Sequence, residues 1–322
     1  MSKAIQLRLL LASSLLWSLS LSAQPDVSPH KAQFVTVEEG IRLEVLDWGG
    51  SGRPLIFLAG SGDTAHSFDS FAPKFTGQHH VYGITRRGFG ASSKPTPANG
   101  NYSADHLGDD VLAVMRALGI ERPVLVGHSI AGEELSSVGS RFPAKVSGVI
   151  YLDAAYGFAF YDPAHPQLEI EMNDLIRRIE EIEAGGVDEQ EKLRELETAV
   201  AGFERVLHQN NVDVMTMPPL PPRSPLSAAM NFGVERYTSI PVPALAIFAC
   251  PHDWDPFFPN DQLRKAARLA ADTAGCNAQA EAFRRGVPGA TVVRIANADH
   301  YVHRSNEPQV IDEMRKFLEE LH

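Results

Sequence analysis

The chain is short of positive charge. Its 322 residues hold 29 Lys and Arg against 40 Asp and Glu, a net charge of -11, and no stretch concentrates the basic residues. Neutralising phosphates needs a basic surface, so no nucleic-acid partner is expected. Docking to an anionic membrane is disfavoured for the same reason. A neutral or apolar small molecule suits this balance better. Long apolar runs are missing too. The early run at residues 9–21 is too short for a comfortable membrane span. Lys3 and Arg8 precede it, Leu21-Ser22-Ala23 closes it, and a polar stretch opens at Gln24-Pro25-Asp26. This pattern predicts a cleavable secretory signal over residues 1–23, a periplasmic or secreted protein, and no stable membrane insertion after cleavage. No cysteine lies at the cleavage region, so a lipoprotein anchor is not indicated. Losing Lys3 and Arg8 takes the charge from -11 to -13.

Cysteine is equally scarce, with Cys250 and Cys276 the only two. In an oxidising compartment they would form a disulfide bracing the loop between them; two buried free thiols are the alternative. Sequence does not give the Cα separation that decides between these.

What the chain does have is 44% hydrophobic residues, enough for one large core carrying an insertion. Residues 33–37 and 41–48 alternate as two antiparallel strands about Glu39-Gly40. Further strands are predicted at 55–58, 79–84, 123–126, 148–152, 244–249 and 291–295. Helical spacing appears from Ser103 to about Leu118, at 130–142, from about Asn260, and from Glu307. Strands separated by helices argue for a mostly parallel sheet with helices on both faces. That alternation breaks after Asp153, where two helices, folded on each other, meet around Gly185-Gly186 and a proline-rich stretch follows. The predicted organisation is a core of residues 24–154 and 239–322, interrupted by a helical cap at 155–238.

Residues 123–131 read Pro-Val-Leu-Val-Gly-His-Ser-Ile-Ala: a buried-strand pattern, then small-x-Ser-x-small, then a helix. A serine held between a strand end and a helix start needs a tight, strained turn, and Gly127 and Ala131 leave room for one. Arg87-Gly88-Phe89-Gly90-Ala91-Ser92 follows the fourth strand, and later strands are followed by an Asp and a His. On these residues the chain resembles the α/β-hydrolase superfamily from about residue 33 to 322. Its nearest likeness is to the cap-bearing bacterial branch of serine esterases and peptidase-like enzymes.

The resemblance implies a nucleophile, an acid and a histidine in that chain order. Ser129 is the nucleophile and His300, past the last strand, the base, with His303 as its fallback. For the acid, Asp253 stands at the usual distance from its strand and is taken first, Asp255 second, and Asp153 third. The oxyanion hole would use the backbone amides of Ser61 and Ile130. Two departures stand out: Ala59-Gly60 replaces the usual His-Gly pair, and Ala131 stands where glycine is commoner. Ser129 would attack a carbonyl, His300 would take and return its proton, and water would release the acyl-enzyme.

Epoxide hydrolysis and dehalogenation in this fold resemble aspartate-nucleophile reactions, and position 129 is not Asp. No Lys-Ser or Lys-Thr pair follows the Gly-rich loop at 60–62, which excludes a P-loop. His300 and His303 lack a matching ligand set, so neither metal nor cofactor is expected. Tyr156, Phe158, Met215 and Met217 are candidate pocket residues, suggesting an apolar ester or amide substrate. Glu133 and Glu134 would bind an amine in an aminopeptidase or amidase, or else favour a helix dipole. A non-catalytic ligand-binding member of the fold is the third reading.

Overall fold

The computed structural model describes residues 30–98, 100–164, 166–183, 189–209 and 224–321. The signal expected at 1–23, and Met215 and Met217, lie outside the described residues.

Alternation in the first two segments makes a hairpin of β1 (Lys31–Glu38) and β2 (Ile41–Gly49), turning at Gly40 with φ +75°. β3 (Leu55–Leu58), β4 (Val81–Ile84), β5 (Val124–His128), β6 (Gly148–Leu152), β7 (Ala244–Ala249) and β8 (Thr291–Ile295) complete the sheet. It is one eight-stranded sheet in the order β1-β2-β4-β3-β5-β6-β7-β8. Strand β2 runs antiparallel to both neighbours, and the pairs from β4 to β8 are parallel. Strands β3, β5, β6 and β7 are buried along their whole length. Both sheet faces are covered there, so these segments read as continuous apolar runs rather than alternating ones.

One face is covered by α1 (Ala104–Leu118), α2 (Gly132–Arg141) and α6 (Gln262–Gly286), through Val111, Val114, Leu135, Val138 and Phe283. Ser103 caps α1 by accepting the His106 N–H, and Gly119, at φ +64°, ends it. The other face is covered by α8 (Glu307–Glu320), following the short α7 (Val302–Ser305), through Val310, Met314 and Phe317. Phe68, Phe71 and Phe75 fill the same layer.

Between β6 and β7 lie α3 (Leu168–Glu183), α4 (Glu189–Gln209) and α5 (Pro225–Phe232). Helices α3 and α4 pack against each other, as their apolar spacing requires. Leu226, Ala229 and Met230 of α5 pack with Tyr102, Leu107 and Ile130. This brings the inserted segment beside the residue that follows Ser129. Among the described residues no helix is long and apolar enough to cross a membrane.

One boundary differs from expectation. Behind Ser129 the chain makes a tight 3-10 turn, Ser129–Ala131, before α2 begins at Gly132. A Cβ on Gly132 would lie 2.1 Å from the Ala154 carbonyl oxygen. The glycine displaced by one position is therefore where the helix crosses the end of β6.

Candidate active site

Ser129 sits at φ +55°, the left-handed region that costs a side-chain-bearing residue energy. A Cβ on Gly127 would meet Leu135 Cδ1 at 2.7 Å, so the bend closes only without one. A Cβ on Gly60 would lie 2.9 Å from His128 Nδ1 and 3.1 Å from Ser129 Cβ. The loop bearing Ser61 thus lies directly against the serine, with the Ile130 amide next to it in the chain. The Ala59 carbonyl accepts from Arg86 Nη2 at 3.1 Å, and Arg86 is itself gripped at both ends by Glu134 at 2.6 and 2.7 Å. The brace missing from Ala59-Gly60 therefore comes from the next strand over.

His300 Nε2 lies 2.8 Å from Ser129 Oγ, although 171 residues separate them. Its Nδ1 lies 2.7 Å from Asp153 Oδ2. A carboxylate can only accept, so Nδ1 carries the proton and Nε2 is left to accept from the serine hydroxyl. The acid at this position is Asp153 and not Asp253, which corrects the first sequence choice. Asp253 instead accepts the Asp255 N–H at 2.9 Å, closing a local turn, while its own N–H binds the Ala298 carbonyl. Asp255 pairs with Lys265. The reason lies in strand order: a histidine from β8 reaching toward β5 crosses β7 and β6, and Asp153 stands at the end of β6. Its φ of +47° lifts the side chain off the sheet, and its N–H is held by the Ile247 carbonyl.

Asp153 is fully buried yet charged. Its Oδ1 accepts from the Ala249 N–H at 2.9 Å and the Tyr156 hydroxyl at 2.7 Å, and its Oδ2 from His300 and from His252 Nε2 at 2.9 Å. Burial pushes its pKa up, but the hydrogen bonds and charges of His252 and His300 outweigh that and hold it at about 2. His252 Nδ1 lies 3.0 Å from Asp272 Oδ1. Burial lowers the His252 pKa, but Asp153 and Asp272 overcome it and raise the pKa above the ordinary histidine value.

Tyr156 supports the carboxylate: its hydroxyl is committed to Asp153 and its ring packs on Phe248 at 5.5 Å. Phe158 packs half-buried against the core. His128 was invisible as a functional residue in the sequence, yet its Nε2–H donates to the His300 carbonyl at 2.9 Å and its ring lies 4.7 Å from the His300 ring. Burial, then the neighbouring His300, lowers its pKa to about 4. His303, the fallback base, is buried between Phe68 and Phe71 with neither ring nitrogen bonded. Glu133 is buried with both carboxyl oxygens unpartnered, and burial raises its pKa well above the ordinary value. Glu134 is committed to Arg86.

Cys250 and Cys276 form a disulfide with a Cα separation of 5.7 Å. Among the described residues, two groups bring potential metal-ligand atoms within 4.8 Å: His30, His66 and Asp69, and Asp153, His252 and His300. In the second group the atoms are already hydrogen-bonded to one another, an arrangement suited to orienting a proton.

The chain is similar to several known proteins. The chain is 33% identical over 116 residues to a fluoroacetate dehalogenase of Burkholderia sp, a stretch covering 35% of this chain and 38% of that protein. It is 33% identical over 112 residues to a bifunctional esterase/perhydrolase of Acinetobacter calcoaceticus, covering 34% and 40%. In each case the match spans less than half of the relative's own length. Among solved structures, Est816, described as an N-acyl homoserine lactone degrading enzyme, superposes with a TM-score of 0.54 at 21% identity, covering 88% of this chain and 100% of that one. The sequence pattern of the alpha/beta hydrolase family matches residues 55–313, the stretch that holds the elbow, Asp153 and His300, and the chain belongs to that family.

Proposed function

We propose that the protein is a serine hydrolase that cleaves carboxylic esters of neutral, apolar substrates through an acyl-enzyme. The unbroken contact from Ser129 to His300 to Asp153 carries this reading. His300 accepts the Ser129 proton as the hydroxyl attacks the carbonyl, and buried Asp153 balances the imidazolium that forms. The Ser61 and Ile130 amides receive the oxyanion. His300 then protonates the leaving alcohol and next activates water to release the acid. Apolar Leu226, Ala229 and Met230 beside Ile130 support an apolar substrate and a capping role for the insertion at 155–238. The esterase/perhydrolase relative fits the same chemistry. Dehalogenation is not proposed, since position 129 carries a hydroxyl and not a carboxylate. An amine-binding role for Glu133 and Glu134 is disfavoured because Glu134 is tied to Arg86 and Glu133 is 1% exposed. The N-terminal pattern at 1–23 and the disulfide support a periplasmic or secreted location for the mature protein.

Hydrolysis of p-nitrophenyl esters of graded chain length, alongside aminoacyl p-nitroanilides, tests the ester reading. Ester turnover exceeding anilide turnover supports it, and the reverse selects the amidase alternative. Ser129→Ala and His300→Ala should each lower kcat by about 10^4-fold or more with an unchanged circular dichroism spectrum. Failure of a fluorophosphonate to label Ser129 at neutral pH would support a binding protein instead.

A further inference from the structure

We infer that His252, gripped by Asp272 of α6, is a positioning residue: an imidazolium that shares the Asp153 carboxylate with His300 and so sets how firmly His300 holds its proton. This rests on the proposed roles of Ser129, His300 and Asp153 and adds a residue to them.

Each His252 ring nitrogen faces a carboxylate, Nδ1 with Asp272 Oδ1 at 3.0 Å and Nε2 with Asp153 Oδ2 at 2.9 Å. A carboxylate only accepts, and a neutral imidazole has only one N–H. Both contacts are satisfied together only when the ring is protonated at both nitrogens. The backbone N–H of His252 also donates to Asp272 Oδ2 at 2.7 Å, so ring and main chain are held by one side chain.

The grip extends along a helix face. Arg268 stacks over the Trp254 ring at 4.3 Å, Asp272 binds His252, and Cys276 is joined to Cys250. Partners therefore recur every four residues on α6 and every two residues after β7. This registration fixes His252 against Asp153 from outside the Ser129 neighbourhood.

Charge explains the consequence. Asp153 Oδ2 receives both imidazoles, whose ring centres lie 6.4 Å apart. A positive His252 offsets part of the negative charge that would otherwise favour a protonated His300. The other polar groups around the pair include Tyr156 on Asp153, His128, His303 and Tyr301 near His300, and Asp63, Asp299 and Arg304 beside Tyr301. Losing the positive charge leaves Asp153 uncompensated, so the base gives up its proton at higher pH.

The test is the pH profile of kcat/KM for p-nitrophenyl acetate in the mature protein, for wild type, His252→Gln, Asp272→Asn and Ser129→Ala. Glutamine keeps a donor for Asp153 without the charge, and Asp272→Asn removes the carboxylate that keeps His252 protonated. Both should move the acid limb upward by about half to one pH unit, less than a directly adjacent charge because Asp153 intervenes. The alkaline plateau should fall by no more than about tenfold. A purely structural role would lower the plateau and leave the midpoint in place, and unmoved midpoints in both variants would overturn the inference. Retained turnover in Ser129→Ala would instead overturn the underlying serine reading, and this inference with it.

Discussion

A carboxylate that is 0% exposed would ordinarily take up a proton, and Asp153 stays ionised because its oxygens receive donors from His300, His252, Tyr156 and the Ala249 amide. Removing its charge while keeping its shape should therefore be severe. Asp153→Asn is expected to lower kcat by about 10^4-fold, because the amide can donate to His300 and favours the wrong tautomer. Asp253→Asn, which disturbs only a turn, should leave kcat within about threefold of wild type. Steady-state kinetics on the two variants separates the acids, and the opposite ranking would restore Asp253. Ser129 was legible because it directly follows a strand with its own local signature, and His300 because it lies on the loop past the last strand. The acid was not, because two strand ends carry aspartates and sequence does not say which one lies under the histidine.

At the level of elements, α6 and the segment after β7 act as one unit. The Cys250–Cys276 disulfide closes a span of 26 residues, and by loop-closure arguments its removal should cost about 3.5 kcal/mol. Cys250→Ser with Cys276→Ser should lower the urea midpoint by a corresponding amount, and dithiothreitol should move wild type the same way. Equal midpoints for oxidised and reduced protein would show that the helix is held by its other contacts alone. The sheet and helices were readable from periodicity, since apolar runs and i, i+4 spacing are local properties. Ile130 and Ala131 belong to the turn and not to the helix predicted from 130, because nothing local shows how closely α2 passes the Ala154 carbonyl.

On the scale of the whole molecule, two buried histidines tie stability to pH. Burial lowers His303 to about 2, with His128 adding to it, and lowers His128 to about 4, with His300 adding to it. Below the ordinary histidine value of 6.5 the unfolded chain takes up protons that these folded rings refuse. Stability is therefore full above that value and falls by about 1.4 kcal/mol per pH unit for each ring below it. His252 works in the opposite sense, since its raised pKa contributes stability at low pH that is lost as pH rises through its folded value. His79, also lowered by burial, acts in the same sense as His303 and His128, while Glu133, raised by burial, acts in the same sense as His252. His303→Leu, which suits the Phe68 and Phe71 surroundings, should lose less stability than wild type between pH 7 and pH 4.5, read as the fall in urea midpoint. An unchanged fall in the variant would remove His303 from the account.

The sequence by itself determined the sheet, the elbow serine and the histidine past the last strand, because hydrophobic period, small residues and strand ends act over a few neighbouring positions. Only the tertiary structure decided that Asp153 meets His300, that His252 shares it, and that Arg86 braces Ala59. Those pairings join residues up to 147 positions apart, and their geometry follows from strand order and helix placement, which no local pattern encodes.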